Sequence, residues 1–484
     1  MKKLGCLLVL IFAFSAQAQV ETLAGHTFFR DQEQQPSFSN NSLAICDVGL
    51  QKDTSTISFG KNLKRHFFDQ FLFEVHEKNV KLYISPVVNF QLGKNLQNDE
   101  SAALFQNTRG LYVKGELLKN FSFCSAFVEN QARFSSYETN YISSHGEFYS
   151  SQQQNGVVSG GGRTKPFKEG GFDYAYAIGS FLYKPIDNLE IRAGNAQRFI
   201  GSGYRSLLLS DHSYQAPNLE IKFSFHKKWT YGVRRSRLFN LIRKPAYSTV
   251  EAYYQPKASA LHFLTYQASP KITIGFFEHS IWSMGDTVTT KPNGLYYAPL
   301  PFLGLSQGEN YNLYGLNSSQ VLGKNIRLYQ QFVLSGFSTE KMGIQLGLRL
   351  YDLIPNSMLQ IEYNKVGTEL YTAETLGMSY THYNLPLAHP KGQGFDELVV
   401  RANISFKRFY GESKTICYWL KNYNERALLP MDAGTNSIDD FILHQQVEIG
   451  YRINPKINFC AFARGVYRKS DIDNNQMLIH VGLS

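Results

Sequence analysis

From Phe172 to Ser484 the chain repeats one pattern: about ten residues alternating apolar and polar, a tight turn rich in Pro, Asn and Lys, a partner stretch, then a longer loop. Met342, Ile344, Leu346, Leu348 and Leu350 interleave with Gly343, Gln345, Gly347, Arg349 and Tyr351, so a strand here has one oily and one polar face. Leu359, Ile361 and Tyr363 alternate with Gln360, Glu362 and Asn364 in the same way. So do Leu398, Val400, Ala402, Ile404 and Phe406 against Val399, Arg401, Asn403, Ser405 and Lys407, and Val447, Ile449, Tyr451 and Ile453 against Glu448, Gly450, Arg452 and Asn454. One such segment also suits a half-exposed sandwich strand. Its repetition predicts an all-β chain, a transmembrane antiparallel β-barrel.

Short turns such as Leu118-Lys119-Asn120, His226-Lys227-Lys228, Ser269-Pro270-Lys271, Gly323-Lys324-Asn325 and Asn454-Pro455-Lys456 alternate with long connections. The long ones are Ala132 to Gly171, Gly201 to Pro217, Leu241 to Ser259, Ser283 to Glu309, Gly367 to Glu397 and Asn424 to Asp440. Counting strands from Val80 gives about 18, an even number that places both ends of an 80–484 barrel on the periplasmic side and the long loops outside. The Gln- and Gly-rich stretch Ala132 to Gly171 is expected to be the most exposed loop. Arg198 to Asp211 is expected to fold inward as a plug, because Gly201 and Gly203 permit a sharp bend and Leu207-Leu208-Leu209 need apolar cover. Arg198, Arg205 and Asp211 are expected to pair with groups on the barrel wall.

Ahead of the barrel, Lys2-Lys3, the apolar run Leu4 to Phe14 and Ala16-Gln17-Ala18 have the form of a signal peptide over 1–18. Residues 19–79 form an N-terminal periplasmic segment, in which Leu63, Phe67, Phe71 and Val75 recur every four residues and predict a short helix from Lys61 to His76. Aromatic residues make up 14% of the chain while mean hydropathy is only −0.28, as when apolar side chains face lipid and the rest face water. The net charge of +10 is spread out, with no basic element interleaved with aromatics, so nucleic acid is excluded as a partner. Outer-membrane lipid, lipopolysaccharide or acidic glycans suit a scattered positive charge better. Cys46, Cys124, Cys417 and Cys460 fit no metal or redox spacing, and Cys124 and Cys460 read as buried apolar positions.

Catalytic motifs are weak. Gly304-Leu305-Ser306-Gln307-Gly308 matches G-x-S-x-G but lies in a loop without the strand and helix a nucleophile elbow requires. No helix follows Gly201-Ser202-Gly203 to cradle phosphate, and the histidines lack ligand spacing, so no catalytic residue, metal or cofactor is assigned. The inward set Glu190, Arg192, Glu220, Lys222, Arg349, Glu362, Arg401, Lys407, Glu448 and Arg452 has mixed signs and predicts a salt-bridged network bracing a plugged lumen. Glycan binding requires rings to stack on sugars and amides, carboxylates and Arg to meet hydroxyls. The loops offer Arg198, Tyr204, Arg205, Asp211, Trp282, Tyr296, His382, His389 and Asp396 as candidates for glycan binding or for the plug.

The run from Gly194 through Arg198, Gly201, Gly203, Ser206 and Leu207 to Asp211 resembles the Wzi capsule-assembly family, and is closest to its Bacteroidetes branch of gliding-motility RemB-like proteins. Asn107-Thr108-Arg109-Gly110, Glu129 to Phe134, Gly170 to Ala175 and Tyr383 to Pro390 fit the same branch, and the resemblance spans most of Leu63 to Phe409. Phe199-Ile200 stands where Wzi-type sequences carry Trp after the Arg. The resemblance implies a non-enzymatic outer-membrane barrel that binds or organises surface exopolysaccharide. Its alternative implication is a scaffold for motility or secretion-machinery proteins without glycan binding.

Overall fold

A computed structural model describes residues 68, 71–97, 103–118, 120–149, 152–243, 254–284, 301, 310–431, 436–455 and 457–484. The signal peptide, most of the N-terminal segment and Tyr296 lie outside these residues.

The barrel strands are β1 (Val80–Asn95), β2 (Leu104–Leu117), β3 (Phe121–Arg133), β4 (Gly171–Ile186), β5 (Leu189–Gly194), β6 (Asn218–Phe225), β7 (Trp229–Arg243), β8 (Tyr254–Ser269) and β9 (Ile272–Ser283). They continue as β10 (Tyr311–Leu322), β11 (Ile326–Leu334), β12 (Met342–Tyr351), β13 (Ser357–Val366), β14 (Phe395–Phe406), β15 (Phe409–Tyr423), β16 (Ile438–Asn454), β17 (Phe459–Ser470) and β18 (Gln476–Leu483). Each pairs antiparallel with the next, and β18 returns to β1 with Leu483 opposite Phe90 and Leu478 opposite Asn95. The result is a closed 18-strand barrel whose ends both lie on the short-turn edge. Closure satisfies every ladder without leaving a sheet edge in lipid.

The register follows the alternation. Gln345 and Gln360 are fully buried, facing inward, while their neighbours Leu346 and Ile361 are 47% and 40% exposed on the outer wall. Ile449 at 62% belongs to the same apolar belt. Cys124 and Cys460 are buried thiols, as their strand positions predict. At the short turns, Leu118, His226, Lys227, Asn356 and Lys407 adopt positive φ, which tight reversals demand.

Four expectations require correction. The helix from Lys61 to His76 does not run its length: Phe73–Glu77 is a strand, antiparallel to Val80 to Ile84 of β1. It occupies the stretch of β1 that β18 does not reach, so backbone pairing outcompetes a four-residue apolar repeat. Lys407 does not face the lumen but lies exposed in the turn between β14 and β15. The loop expected between Leu241 and Ser259 is shorter, because β8 begins at Tyr254.

The fourth correction is the largest. The stretch from Ala132 to Gly171 is no waving loop but a folded lid containing helix α1 (Ser136–Ser144), with Glu147, Val157 and Thr164 fully buried. Ser135 opens the helix, and the Glu138 carboxylate accepts from its backbone N–H at 3.1 Å and its hydroxyl at 2.6 Å. Glu147 ties the lid to the wall: it accepts from both Arg163 nitrogens at 2.9 Å, from Arg243 Nε at 3.2 Å and from the Tyr254 hydroxyl at 2.5 Å. Burial pushes the Glu147 carboxyl up, but Arg163 and Tyr254 more than offset it and hold the group below its ordinary range.

Candidate functional site

The connection at residues 195–217 enters the barrel, as its glycines and leucines predict. Ile200 bridges antiparallel to Leu209, closing a loop whose Ser206 hydroxyl donates to the Ile200 carbonyl at 2.5 Å. Leu207 and Leu208 are wholly buried, packed with Leu238, Leu261, Phe277, Leu313 and Val333 of the wall. Gly201 has φ of 127°, a conformation costly for any other residue. Gly203 is required for a different reason, since a Cβ there would lie 2.7 Å from Glu362 Oε2 and 2.8 Å from Gln345 Oε1.

Two buried carboxylates hold the plug. Glu362 on β13 accepts the backbone N–H groups of Tyr204 and Arg205 at 2.6 and 3.0 Å, the Tyr329 hydroxyl at 2.7 Å and Asn364 Nδ2 at 3.0 Å. Glu397 on β14 receives Arg205 Nε at 3.2 Å, Asn364 Nδ2 at 2.7 Å and His389 Nε2 at 2.8 Å. Charge-assisted bonds of this kind are short and strong, and here they satisfy carboxylates that would be expensive to bury alone. Elsewhere on the inner wall Arg198 meets Glu220 at 3.0 Å, Lys222 meets Glu190 at 2.7 Å, Arg401 meets Glu412 at 3.4 Å and Arg464 meets Glu448 at 2.7 Å. The mixed signs of the lumen are thus spent on bracing.

A second loop, residues 367–394, packs on the first. Ser210 N donates to the Leu387 carbonyl at 2.8 Å, and the Tyr371 and Tyr380 hydroxyls donate to the carbonyls of Leu207 and Leu208, both at 2.7 Å. His279 of β9 reaches Tyr380 through Nδ1 at 2.6 Å and Ser259 through Nε2. A serine, a histidine and a phenol in series could serve nucleophilic chemistry. All three are at most 3% exposed, and the series joins wall to plug.

The candidate residues therefore divide. Arg198, Tyr204, Arg205, His382 and His389 come together inside the barrel. The Tyr204 ring lies 4.6 Å from the Arg205 guanidinium and 4.5 Å from that of Arg401, an arrangement that occupies the ring with cations. His382 accepts from Phe239 N at 2.9 Å and lies 3.1 Å from the Gln215 carbonyl, and burial pushes its imidazole down to about 3. Burial likewise lowers His389, so its contact with Glu397 at neutral pH is a hydrogen bond from a neutral ring. Asp211 is half-buried at the plug's end, where its carbonyl accepts from Gln197 Nε2 at 3.0 Å. Trp282 packs on Ala258 and Ala260, on the face of the sheet opposite Lys257 and Ser259. Asp396 faces outward beside Tyr363 and Lys365, the latter 3.6 Å away.

Sequence reasoning missed Glu397 and Glu147 as anchors. The alternation that turns Leu398 and Val400 outward already turns Glu397 inward and Asp396 out. Glu147 carries no such signal, because its partners Arg243 and Tyr254 come from distant strands.

Above the plug, lid and loops frame a narrow cleft lined by Tyr141, His145, Asn384, Pro390, Lys391, Tyr423, Asn424 and Glu425 among others. The Tyr141 hydroxyl meets His212 Nε2 at 2.9 Å, Ser144 Oγ donates to Glu425 at 2.9 Å, and Lys391 Nζ lies 5.4 Å from the centre of the Tyr423 ring. Burial, and then nearby Arg205, pushes His212 down to about 3, so these rings are neutral hydrogen-bonding groups. Of these groups Glu425 is exposed and Tyr141, Lys391 and Asn424 are half-buried, while His145, Asn384 and Tyr423 are buried.

No protein-family model matches the chain, and no curated protein matches it. Among solved structures it is similar to Wzi of Escherichia coli, an outer-membrane protein involved in group 1 capsule assembly and described as a carbohydrate-binding β-barrel. Identity is 12%, the TM-score is 0.54, and the match covers 82% of this chain and 83% of that one. The chain has the fold of an outer-membrane β-barrel. Weaker likenesses are to a BenF-like porin of Pseudomonas fluorescens (TM-score 0.47, 11% identity, 84% and 98% of the two chains) and to OpdK of Pseudomonas aeruginosa (0.45, 9%, 84% and 98%).

Proposed function

We propose that this barrel is a closed binding protein, its lumen stoppered by two wired-in loops and its outer crevice holding a surface polysaccharide. The observation that carries the reading is the plug: loop residues with charged anchors on β13 and β14 fill the space a solute would cross, which leaves the cap as the working surface. Tyr141 offers a half-buried ring for a pyranose face, while Asn424, Lys391 and Glu425 offer partners for hydroxyls and acidic groups. The carbohydrate binding stated for Wzi, a barrel of like fold, supports the same reading.

The test is titration of the purified full-length barrel with exopolysaccharide from its own host. Glu425→Ala and Lys391→Ala are expected to weaken binding, while Trp282→Phe is expected to leave it unchanged. Absence of binding by the parent protein would overturn the reading. Loss of the gene should reduce capsule retention; unchanged retention with altered colony spreading would favour a motility scaffold of the RemB type instead.

A further inference from the structure

The short-turn edge of the barrel is rich in exposed lysine. On the short-turn edge, Lys78, Lys227, Lys228, Lys271, Lys324 and Lys407 are all exposed at or beside turns, against Glu77, Asp187 and Asp352. The described short connections at the other edge, 335–341 and 471–475, carry Glu340, Asp471 and Asp473 against Lys341.

Apolar side chains flank the cations. Leu322, Ile354, Phe406 and Phe409 are exposed at the same edge, each in or next to a short turn. Beside Lys228, the Trp229 ring stacks on Tyr266 at 4.3 Å between centroids. An acidic soluble partner would need the lysines but not this apolar fringe. A lipid monolayer needs both, with the fringe among acyl chains and the ammonium groups one step further out, at headgroup depth.

We propose that the short-turn rim is a seat for the phosphodiester headgroups of anionic phospholipid, with Lys227, Lys228, Lys271, Lys324 and Lys407 as the phosphate contacts. A flexible lysine stem reaches from a turn along the acyl region and sets its charge on the phosphate, an attraction that salt screens. The rim then anchors the barrel from below while the cap works outside.

Trp229 supplies the probe. The full-length protein carrying Trp282→Phe and Trp419→Phe is folded into vesicles containing acyl-brominated phosphatidylglycerol or, at equal fraction, acyl-brominated phosphatidylcholine. Folding is checked first by gel migration with and without heating. Quenching of Trp229 is expected to be roughly twofold greater with the anionic lipid, and Lys227→Gln with Lys228→Gln should bring the two lipids level. Sodium chloride should reduce the preference, and inorganic phosphate at equal ionic strength should do no more than the chloride. Equal quenching by both lipids in the parent protein, or a preference that survives the double substitution, overturns the proposal. Extra displacement by inorganic phosphate would assign the lysines to a free anion and also overturn it.

Discussion

The loops at residues 195–217 and 134–170 are both long, polar and studded with glycine, and both end up folded against the barrel, one inside it and one across its mouth. The inner loop can be recognised because it carries its own reason to fold: three leucines that water would penalise and two glycines where backbone or space demands them. The lid carries no apolar run, and its composition reads as solvent-exposed. What holds it is Glu147, with partners from the lid and from two wall strands, together with pairing of Phe148 and Tyr149 to Ile242 and Arg243 and packing of Val157 on Leu241 and Tyr254. A polar loop is therefore ordered by partners that come from distant segments of the chain, and composition does not record that.

The comparison breaks most severely at the plug. Glu362→Ala removes the acceptor for two backbone N–H groups, a tyrosine hydroxyl and an asparagine in a buried site, and should cost about 3–5 kcal/mol by denaturant titration of the folded barrel. Next comes Gly203→Ala, whose methyl group would press on Glu362 and Gln345. About 1–3 kcal/mol is expected from overpacking in the same assay. Glu147→Gln should leave the barrel within about 0.5 kcal/mol of the parent, because the lid lies outside the wall ladder. Its effect should appear instead as rapid cleavage between residues 152 and 164 when protease is added to intact cells, where the parent lid resists.

Acid provides the mildest perturbation. Glu147 has its carboxyl held below the ordinary 4.5, so its contribution is fully present above that value and is lost as pH falls through the depressed one. Amide exchange at Val157 and Thr164 should therefore quicken as pH drops from about 5 towards about 3, relative to strand amides corrected for intrinsic rate. Exchange that slows or stays level against those references would separate the lid from Glu147.

The wall was legible almost throughout, since a period of two fixes which side chains face lipid, and Leu346 against Gln345 or Ile361 against Gln360 follows directly. The plug was legible from Leu207 to Leu209, and Arg198 and Arg205 found acidic partners as expected. Asp396 faces outward while the neighbouring Glu397 holds Arg205 and His389 inside, a distinction the pleat alone makes. Helix α1 was announced by Ser135 and Glu138, a capping pair easily lost in a serine-rich stretch. The strand Phe73–Glu77 could not be read from its own residues, because it exists only where β18 stops short along β1.

The central claim, that buried carboxylates keep the barrel closed, is tested most directly by planar-bilayer recording of the parent protein beside Arg205→Ala, which removes a plug charge while leaving both wall carboxylates in place. A quiet bilayer with the parent and intermittent conductance steps with the variant is the predicted result. Steady open-pore current from the parent protein would contradict the account.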